Sequence, residues 1–414
     1  MKKYGVVGFG VSGKALIEAL LKLGHKPVVF ELKNKENFNE EEIKKFEKEN
    51  VEFVFNYQPE DFKKVDLVIL SSGIKHDFFE QNKINFISEL DFVCSFLENK
   101  DYIFITGTKG KGTTAIFTKF LFEELGLKTF LGGNIGESEY SKPAVFAIFE
   151  PADIYIFETS SFQLRSSFKA KPLIHVIVNL GIDHLDWHDS LDDYWNSKLK
   201  FLERAKYGIK PESFPLLQNI PEAFKINFPG QHNIYDLSLA YEILRIYSQE
   251  KKINIPDDLL EKAVLKFPKQ KFVLTFEGEI VLNGKRIKVY NDSKSTHYLS
   301  LKASLLSFGK PVILICGGLT KGFDFSEIED IIKEKVKYGI IIGRDKEILA
   351  RSFEKNKKIL IENLEEALEK SIEIAEDGDI ILFSPGCASF DMFKNATHRG
   401  EIFSNLVKQK MNAN

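Results

Sequence analysis

Residues 102–125 read YIFITGTKGKGTTAIFTKFLFEEL. Tyr102–Ile105 is an apolar run suited to a buried strand, and Ala115–Leu125 spaces its apolar residues as a helix does. Between them lies Thr106-Gly107-Thr108-Lys109-Gly110-Lys111-Gly112-Thr113-Thr114. Small residues let successive N–H groups turn toward phosphate oxygens. Lys111 brings charge to β/γ-phosphates, and a following hydroxyl can hold Mg²⁺. The spacing departs from GxxxxGK[ST], because Ile105 stands six places before Lys111 and Gly112 follows it. A bare turn has no use for two lysines among its glycines, so nucleotide triphosphate binding is the favoured reading.

Outward from this unit, short apolar runs alternate with amphipathic stretches. Tyr4–Gly8, Lys26–Phe30, Leu67–Leu70, Ile154–Glu158, Ile174–Asn179, Val312–Cys316, Tyr338–Ile342 and Asp379–Ser384 read as further buried strands. Alternation of this kind predicts an α/β fold of parallel sheets covered by helices. Boundaries near Asn99–Lys100 and Lys266–Pro268 divide the 414 residues into domains 1–99, 100–267 and 268–414. Asn39–Asn50 reads as a solvated, charge-rich helix.

The balance of 57 basic and 60 acidic residues lacks the excess of a nucleic-acid binder. Cys94, Cys316 and Cys387 lie far apart without a metal-binding spacing, which suits a reducing cytosol. No apolar stretch is long enough to span a membrane. The opening MKKYGVVGFG breaks into glycines and lacks the apolar core of a signal peptide.

A second glycine loop, Gly8-Phe9-Gly10-Val11-Ser12-Gly13, follows the first strand. It fits a pyrophosphate at a helix N-terminus without choosing among nucleotides. Glu158 and His184 each follow an apolar strand, on the side where ligands of open α/β sheets bind. Together they suggest a divalent ion, and singly a helix cap or a supporting hydrogen bond. Read as a helix, Tyr194–Ala205 sets Lys198 among Tyr194, Trp195, Phe201, Leu202 and Ala205, with Lys200 on the polar side. Such a lysine either snorkels to water or loses its proton and reacts with carbon dioxide to form a carbamate.

These stretches resemble the ATP-dependent Mur ligases of peptidoglycan synthesis, most of all the D-glutamate-adding branch. The resemblance runs through GFGVSGKA (8–15), SSGI (71–74), GTKGKGTT (107–114), GGNIG (132–136), ETSSFQL (158–164) and DHLDWH (183–188). It continues through YWNSKL (194–199), GQHN (230–233), NDSKSTH (291–297), GGLTKGFDF (317–325) and SPGCASFDMFKNATHRG (384–400). It implies a Rossmann-like N-terminal domain, a central phosphate-loop domain for ATP and a Rossmann-like C-terminal domain for the amino acid. It implies UDP-N-acetylmuramoyl-L-alanine and D-glutamate as partners, a cytoplasmic monomer, and ATP with two Mg²⁺ sites. By position, Gly107–Thr114, Asp236, Lys271, Asp292 and Lys294 would bind ATP. Gly10, Val11, Ser12, Glu31, Ser72, Gly73, Asn134, Ser160, Gln163, Thr296, Lys321, Ser389 and Phe390 would bind substrates. Lys111, Glu158, His184 and a carbamylated Lys198 would be catalytic, the last three holding metal with Thr113.

The sequence departs from the family pattern at named places. Gly112 replaces the usual hydroxyl, which makes Thr113 the candidate ligand. Asp236 and Lys271 stand for Asn and Arg, Ala396 for Phe, and Ser72 for Pro. Lys111-Gly112-Thr113 is similar to the loop of folate-type glutamate ligases, which lack the N-terminal glycine-loop domain. A dehydrogenase built on Gly8–Gly13 would leave Lys111, Glu158 and His184 unused. A nucleotide sensor without catalysis would have no need of the whole set with Lys198.

Overall fold

The computed structural model describes residues 2–134, 140, 142–228, 230–268, 271–282, 284–320 and 322–412. They fall into two compact units, Met1–Leu216 with Asp236–Ala263, and Leu217–Tyr235 with Val264–Asn414.

The first unit holds two parallel five-stranded sheets. Strands β1 (Tyr4–Val7), β2 (Val28–Glu31), β3 (Glu52–Phe55), β4 (Leu67–Leu70) and β5 (Phe86–Ser88) run in the order β3-β2-β1-β4-β5. Alternate residues serve opposite cores. Val6, Val29 and Ile69 bury one way, while Val7, Val28, Phe30, Val68 and Leu70 bury the other. The first glycine loop joins β1 to the helix Val11–Lys22. There a Cβ on Gly13 would sit 1.9 Å from the Gly8 carbonyl oxygen, so only glycine permits this approach of helix to strand. The charge-rich stretch forms the helix Glu40–Lys48, capped by the Asn39 side chain and burying Ile43 and Phe46.

Strands β6 (Asp101–Thr106), β7 (Thr129–Gly133), β8 (Ile154–Glu158), β9 (Ile174–Ile177) and β10 (Tyr207–Ile209) form the second sheet, ordered β10-β9-β6-β8-β7. Central β6 pairs with β8 on one side and β9 on the other. Ile103, Phe104 and Ile105 are fully buried, each worth about 1.5–3 kcal/mol against exposure. The loops after β6, β8 and β9 therefore emerge together at one sheet end.

The second unit has strands β11 (Thr275–Leu282), β12 (Lys285–Asn291), β13 (Val312–Gly317), β14 (Val336–Ile342), β15 (Lys358–Leu360) and β16 (Ile380–Phe383). Their order is β11-β12-β16-β13-β14-β15. The expectation of wholly parallel sheets is corrected here, because β11 pairs antiparallel with β12. The connection is too short for a crossover, and Gly284 at φ +83° lets it reverse at once. The helix expected over Tyr194–Ala205 spans Leu191–Leu199 and gives way to turns.

A paired test follows from the glycine loop. Gly13→Ala should cost about 1–3 kcal/mol or more through overpacking and lower the thermal midpoint. Gly10→Ala, at φ −80° with nothing within 4 Å of the added Cβ, should leave that midpoint unchanged.

Candidate active site

Thr106 ends β6, and Gly110, at φ +79°, precedes the helix Lys111–Glu124. Asn179, just past β9, braces this loop. Its Oδ1 accepts from the Thr108 and Lys109 amides at 3.0 and 2.9 Å, and its Nδ2 donates to the Lys109 carbonyl at 3.0 Å. The Thr108 hydroxyl accepts from the Gly181 amide at 2.8 Å and bonds the Tyr194 hydroxyl at 3.0 Å. Lys111 Nζ donates to the Thr108 carbonyl at 3.2 Å, folded over the cradle it would share with a phosphate. Lys109 pairs with Asp183 at 3.8 Å.

Glu158 ends β8, next to β6, and is buried. Burial pushes its carboxyl up to about 7, against the opposing pull of Lys111, Asn134 and Lys198. Its Oε2 lies 3.2 Å from where a Gly112 Cβ would stand. Gly112 thus leaves the carboxylate open to the loop. Asn134 is exposed, and its amide donates to the Glu158 carbonyl at 2.8 Å.

Lys198 is 1% exposed although it sits in the last turn of its helix. Nζ donates to the Gly107 carbonyl at 3.1 Å and to the Thr106 hydroxyl at 3.4 Å, and lies 4.6 Å from the Tyr194 ring centroid. Burial, then Lys111, push its amine well below the ordinary lysine range, opposed by Asp183 and Glu158. The snorkelling reading is therefore set aside, since the nitrogen ends beneath the phosphate loop and not in water. Lys200, expected in solvent, is half-buried. It lies over the Phe168 and Phe201 rings at 4.4 and 5.6 Å, donates to the Arg165 carbonyl, and is pushed down to about 8 by burial.

His184 has φ +55° and rests on aromatic rings, 4.7 Å from Phe162 and 6.3 Å from Tyr194. Ser160 and Gln163 cap one another at the start of the short helix Ser161–Arg165. Asp236, on the helix Gln231–Lys251, is buried behind the loop. Its Oδ1 lies 2.7 Å from the Cβ position of Gly110, and burial raises its pKa well above the usual carboxylate range. Its side chain thus meets the back of the phosphate loop, a placement its family position does not reveal.

In the N-terminal sheet, Val11 and Gly10 are exposed at the helix start. Glu31 accepts from the Phe9 amide at 3.0 Å. Ser72 donates through its amide to the Ser12 hydroxyl at 3.1 Å and through its own hydroxyl to Glu89 at 2.8 Å; Ser12 also donates to Glu89. Gly73 follows at φ +90°. Glu89 was not singled out from sequence. The usable signal was a carboxylate two places ahead of Asp91 at the start of a helical stretch that carries Leu90 and Phe92–Cys94. Asn179, a polar end to a buried strand, carried a similar signal.

In the second unit, Asp292 is buried. It accepts from the Ser304 and Ser384 hydroxyls at 2.5 and 2.7 Å and from the Leu274 amide at 3.1 Å; burial raises it to about 6. Lys294 donates to the Thr397 hydroxyl at 2.8 Å. Thr296 is half-buried, Ser389 buried, and Phe390 and Lys271 exposed. Arg399 joins the 291–297 and 384–390 loops by donating to Ser293 and to the Cys387 carbonyl. Lys321 lies outside the described residues.

A glycine-rich loop bearing Lys111, backed by a neighbouring-strand carboxylate and with a buried lysine beneath it, suits the phosphates of a nucleotide. The chain belongs to the Mur ligase family: residues 3–78 match the MurD N-terminal domain, 105–211 the Mur ligase middle domain, and 278–387 the Mur ligase glutamate ligase domain. It is 31% identical to the UDP-N-acetylmuramoylalanine--D-glutamate ligase of Pseudothermotoga lettingae, over 98% of both chains. It is 32% identical to the enzyme of that name from Thermoanaerobacter pseudethanolicus, over 99% of this chain and 98% of that one. The fold is similar to the MurF ligase of Thermotoga maritima solved with ADP (TM-score 0.58, 12% identity, 94% of this chain and 95% of that one). It is also similar to the UDP-N-acetylmuramate-alanine ligase of that organism (TM-score 0.57, 15% identity, all of both chains).

Asp236 generates a pH test. A folded pKa raised above 3.8 gives stability that is full below the unfolded pKa and lost as pH rises through the folded one. Asp236→Asn keeps the shape and removes the titration. Its thermal midpoint should gain on the parent as pH rises above about 4 toward the raised folded pKa, and a constant offset would place the carboxylate in contact with water.

Proposed function

We propose that the chain joins D-glutamate to the L-alanyl carboxylate of UDP-N-acetylmuramoyl-L-alanine at the expense of ATP. The observation that carries this reading is Lys111 and Glu158 at one phosphate loop, with the Lys198 amine buried beneath it. The alanyl carboxylate oxygen attacks the γ-phosphorus and the bond to the β-phosphate oxygen breaks, giving ADP and an acyl phosphate. The D-glutamate nitrogen then attacks the carbonyl carbon, inorganic phosphate leaves, and the nitrogen sheds a proton. Lys111 and the loop amides hold the oxygens on which charge collects.

The oxygen-rich donor set suits Mg²⁺. Among the described residues no group of three or more His, Cys, Asp or Glu side chains forms a ready metal cage. Phosphate oxygens and waters would complete a shell begun by Glu158, which accords with Mg²⁺ keeping several waters. Thr113, His184 and a carbamate on Lys198 are the further donors we assign. When bound, the metal neutralises charge on the phosphoryl oxygens. A neutral Lys198 amine can attack carbon dioxide, forming an N–C bond and releasing a proton, which turns a site cation into an anion. We assign Gly10, Val11, Ser12, Glu31, Ser72 and Gly73 to the uridine nucleotide, and Thr296, Lys321, Ser389 and Phe390 to D-glutamate. No helix among the described residues is long and apolar enough to cross a membrane, consistent with work in the cytoplasm.

Phosphate release should require ATP, the muramoyl nucleotide and D-glutamate together. Equal turnover with L-glutamate, or with a folate in place of the nucleotide sugar, would overturn the substrate assignment.

Lys198 supplies a sharper test. Lys198→Ala should lose at least about a hundredfold in kcat, in the range seen on removing one electrostatic element of a site. Added formate or acetate should restore part of it. Lys198→Arg keeps the stem and charge but cannot form a carbamate, so it should stay inactive. A fully active Lys198→Arg enzyme would exclude the carbamate.

A further inference from the structure

Arg165 closes the short helix that Ser160 opens, and its side chain is 9% exposed. Its guanidinium meets three carboxylates. NH1 and NH2 donate to Asp77 at 2.6 and 3.2 Å, NH2 donates to Asp189 at 2.9 Å, and Nε donates to both oxygens of Asp193 at 3.0 Å. Asp77 follows the Ser71–Ile74 turn of the N-terminal sheet, whereas Asp189 and Asp193 follow the loop that carries His184.

Other contacts fasten the same two segments. Trp187 Nε1 donates to the Gly73 carbonyl at 3.1 Å, Ser166 Oγ to the Ile74 carbonyl at 3.0 Å, and Lys75 pairs with Asp189 at 2.6 Å. The Trp187 indole lies within cation–π reach of Lys75 and Arg165, at 5.2 and 5.7 Å, and packs edge-on to Phe162 at 4.6 Å. Phe162 in turn touches His184. Asp193 also accepts from His188 Nδ1 at 2.8 Å, which leaves Nε2 to accept from Ser161 at 2.9 Å. The His188 amide donates to the His184 carbonyl at 3.0 Å. Gly73, Lys75, Asp77 and Asp189 also wall a cavity of about 590 Å³ floored by Tyr57, Phe78 and Phe79. A ligand filling that cavity presses on the clamp itself.

We propose that Arg165 is a positioning residue that ties the Ser72–Asp77 segment to the His184 loop, so that a uridine nucleotide held at Gly73 sets where His184 and Phe162 stand. This rests on the assignment of Gly73 to the nucleotide and of His184 to the phosphoryl side. Packed, hydrogen-bonded contacts join both ends without a gap, and the fork of Arg165 holds all three carboxylates in one geometry, which a lysine cannot do.

The test uses the full chain carrying Trp195→Phe, so that Trp187 is the one indole left of two, with UDP as the probe. UDP should shift Trp187 emission in this parent. Arg165→Met should abolish the shift while calorimetric UDP affinity stays within about threefold, and kcat should fall about tenfold with KM for ATP little changed, the signature of misplacement and not of lost binding. Arg165→Lys should fold and still lack the shift. If Arg165→Met does not fold, Asp77→Asn breaks the clamp from its half-exposed arm and must lose the shift likewise. Retention of the shift and of parental kcat in any folded clamp variant would overturn the proposal. A parent that does not bind UDP would instead overturn the nucleotide assignment beneath it.

Discussion

Beneath the phosphate loop, the Lys198 amine donates to the Gly107 carbonyl and the Thr106 hydroxyl, its hydrogen-bond partners among the described residues, and the Tyr194 ring covers it. An isolated ammonium taken from water to such a place costs several kcal/mol. Lys111 adds a second positive group on the same loop, and Glu158, itself raised by burial, offsets the pair incompletely. The economical state is a neutral amine. Other features of the loop answer to that state. Carbonyl and hydroxyl acceptors suffice, and the Tyr194 hydroxyl holds Thr108.

Much of this was readable in the sequence because the relevant spacing is local. A strand, a glycine loop and a helix must follow one another within 102–125, and a β-strand must end where Glu158 stands. Lys198 was readable as an oddity of period, even though its helix stops at Leu199 and Phe201 reaches the same core through turns. Lys200 was misjudged for the same reason. Beyond Leu199 the helical angle no longer applies, and turns fold Lys200 onto Phe168. The strands β3, β5, β7, β10 and β15 escaped notice because each is short and holds at most three consecutive apolar residues. The β11–β12 hairpin has no apolar run longer than Ile280–Leu282, and charged residues break up the rest. Asp236, Glu89 and Arg165 depend on partners far away in sequence, and no window of residues contains that information.

Aromatic residues carry much of the load between these polar groups. Phe162 contacts His184, Trp187 and His188, and Tyr194 contacts His184 and His188 while its hydroxyl reaches Thr108. Rings of this kind resist shear, since offset and edge-on pairs have preferred geometries. A side chain at φ +55°, such as His184, is held in a sparsely populated backbone state. The surrounding rings supply the restraint that such a state needs.

Both glycine loops are braced from behind by a single polar side chain, and the two braces differ in charge. Asn179 takes two amides and returns one donor, so it shapes the Lys111 loop without adding charge beside a triphosphate. Glu89 braces the first loop through Ser12 and Ser72, where an ionised carboxylate would repel a pyrophosphate. Burial works against that charge by raising the Glu89 pKa, although the serine donors pull it down. Each of the two serine hydroxyls donates to Glu89, and the Ser12 oxygen also accepts the Ser72 amide. The N-terminal turn, Gly8–Gly13, has no lysine of its own inside it. The loop we assign to the reacting nucleotide carries two, Lys109 and Lys111, where charge moving in phosphoryl transfer would call for more than a fixed cradle of amides.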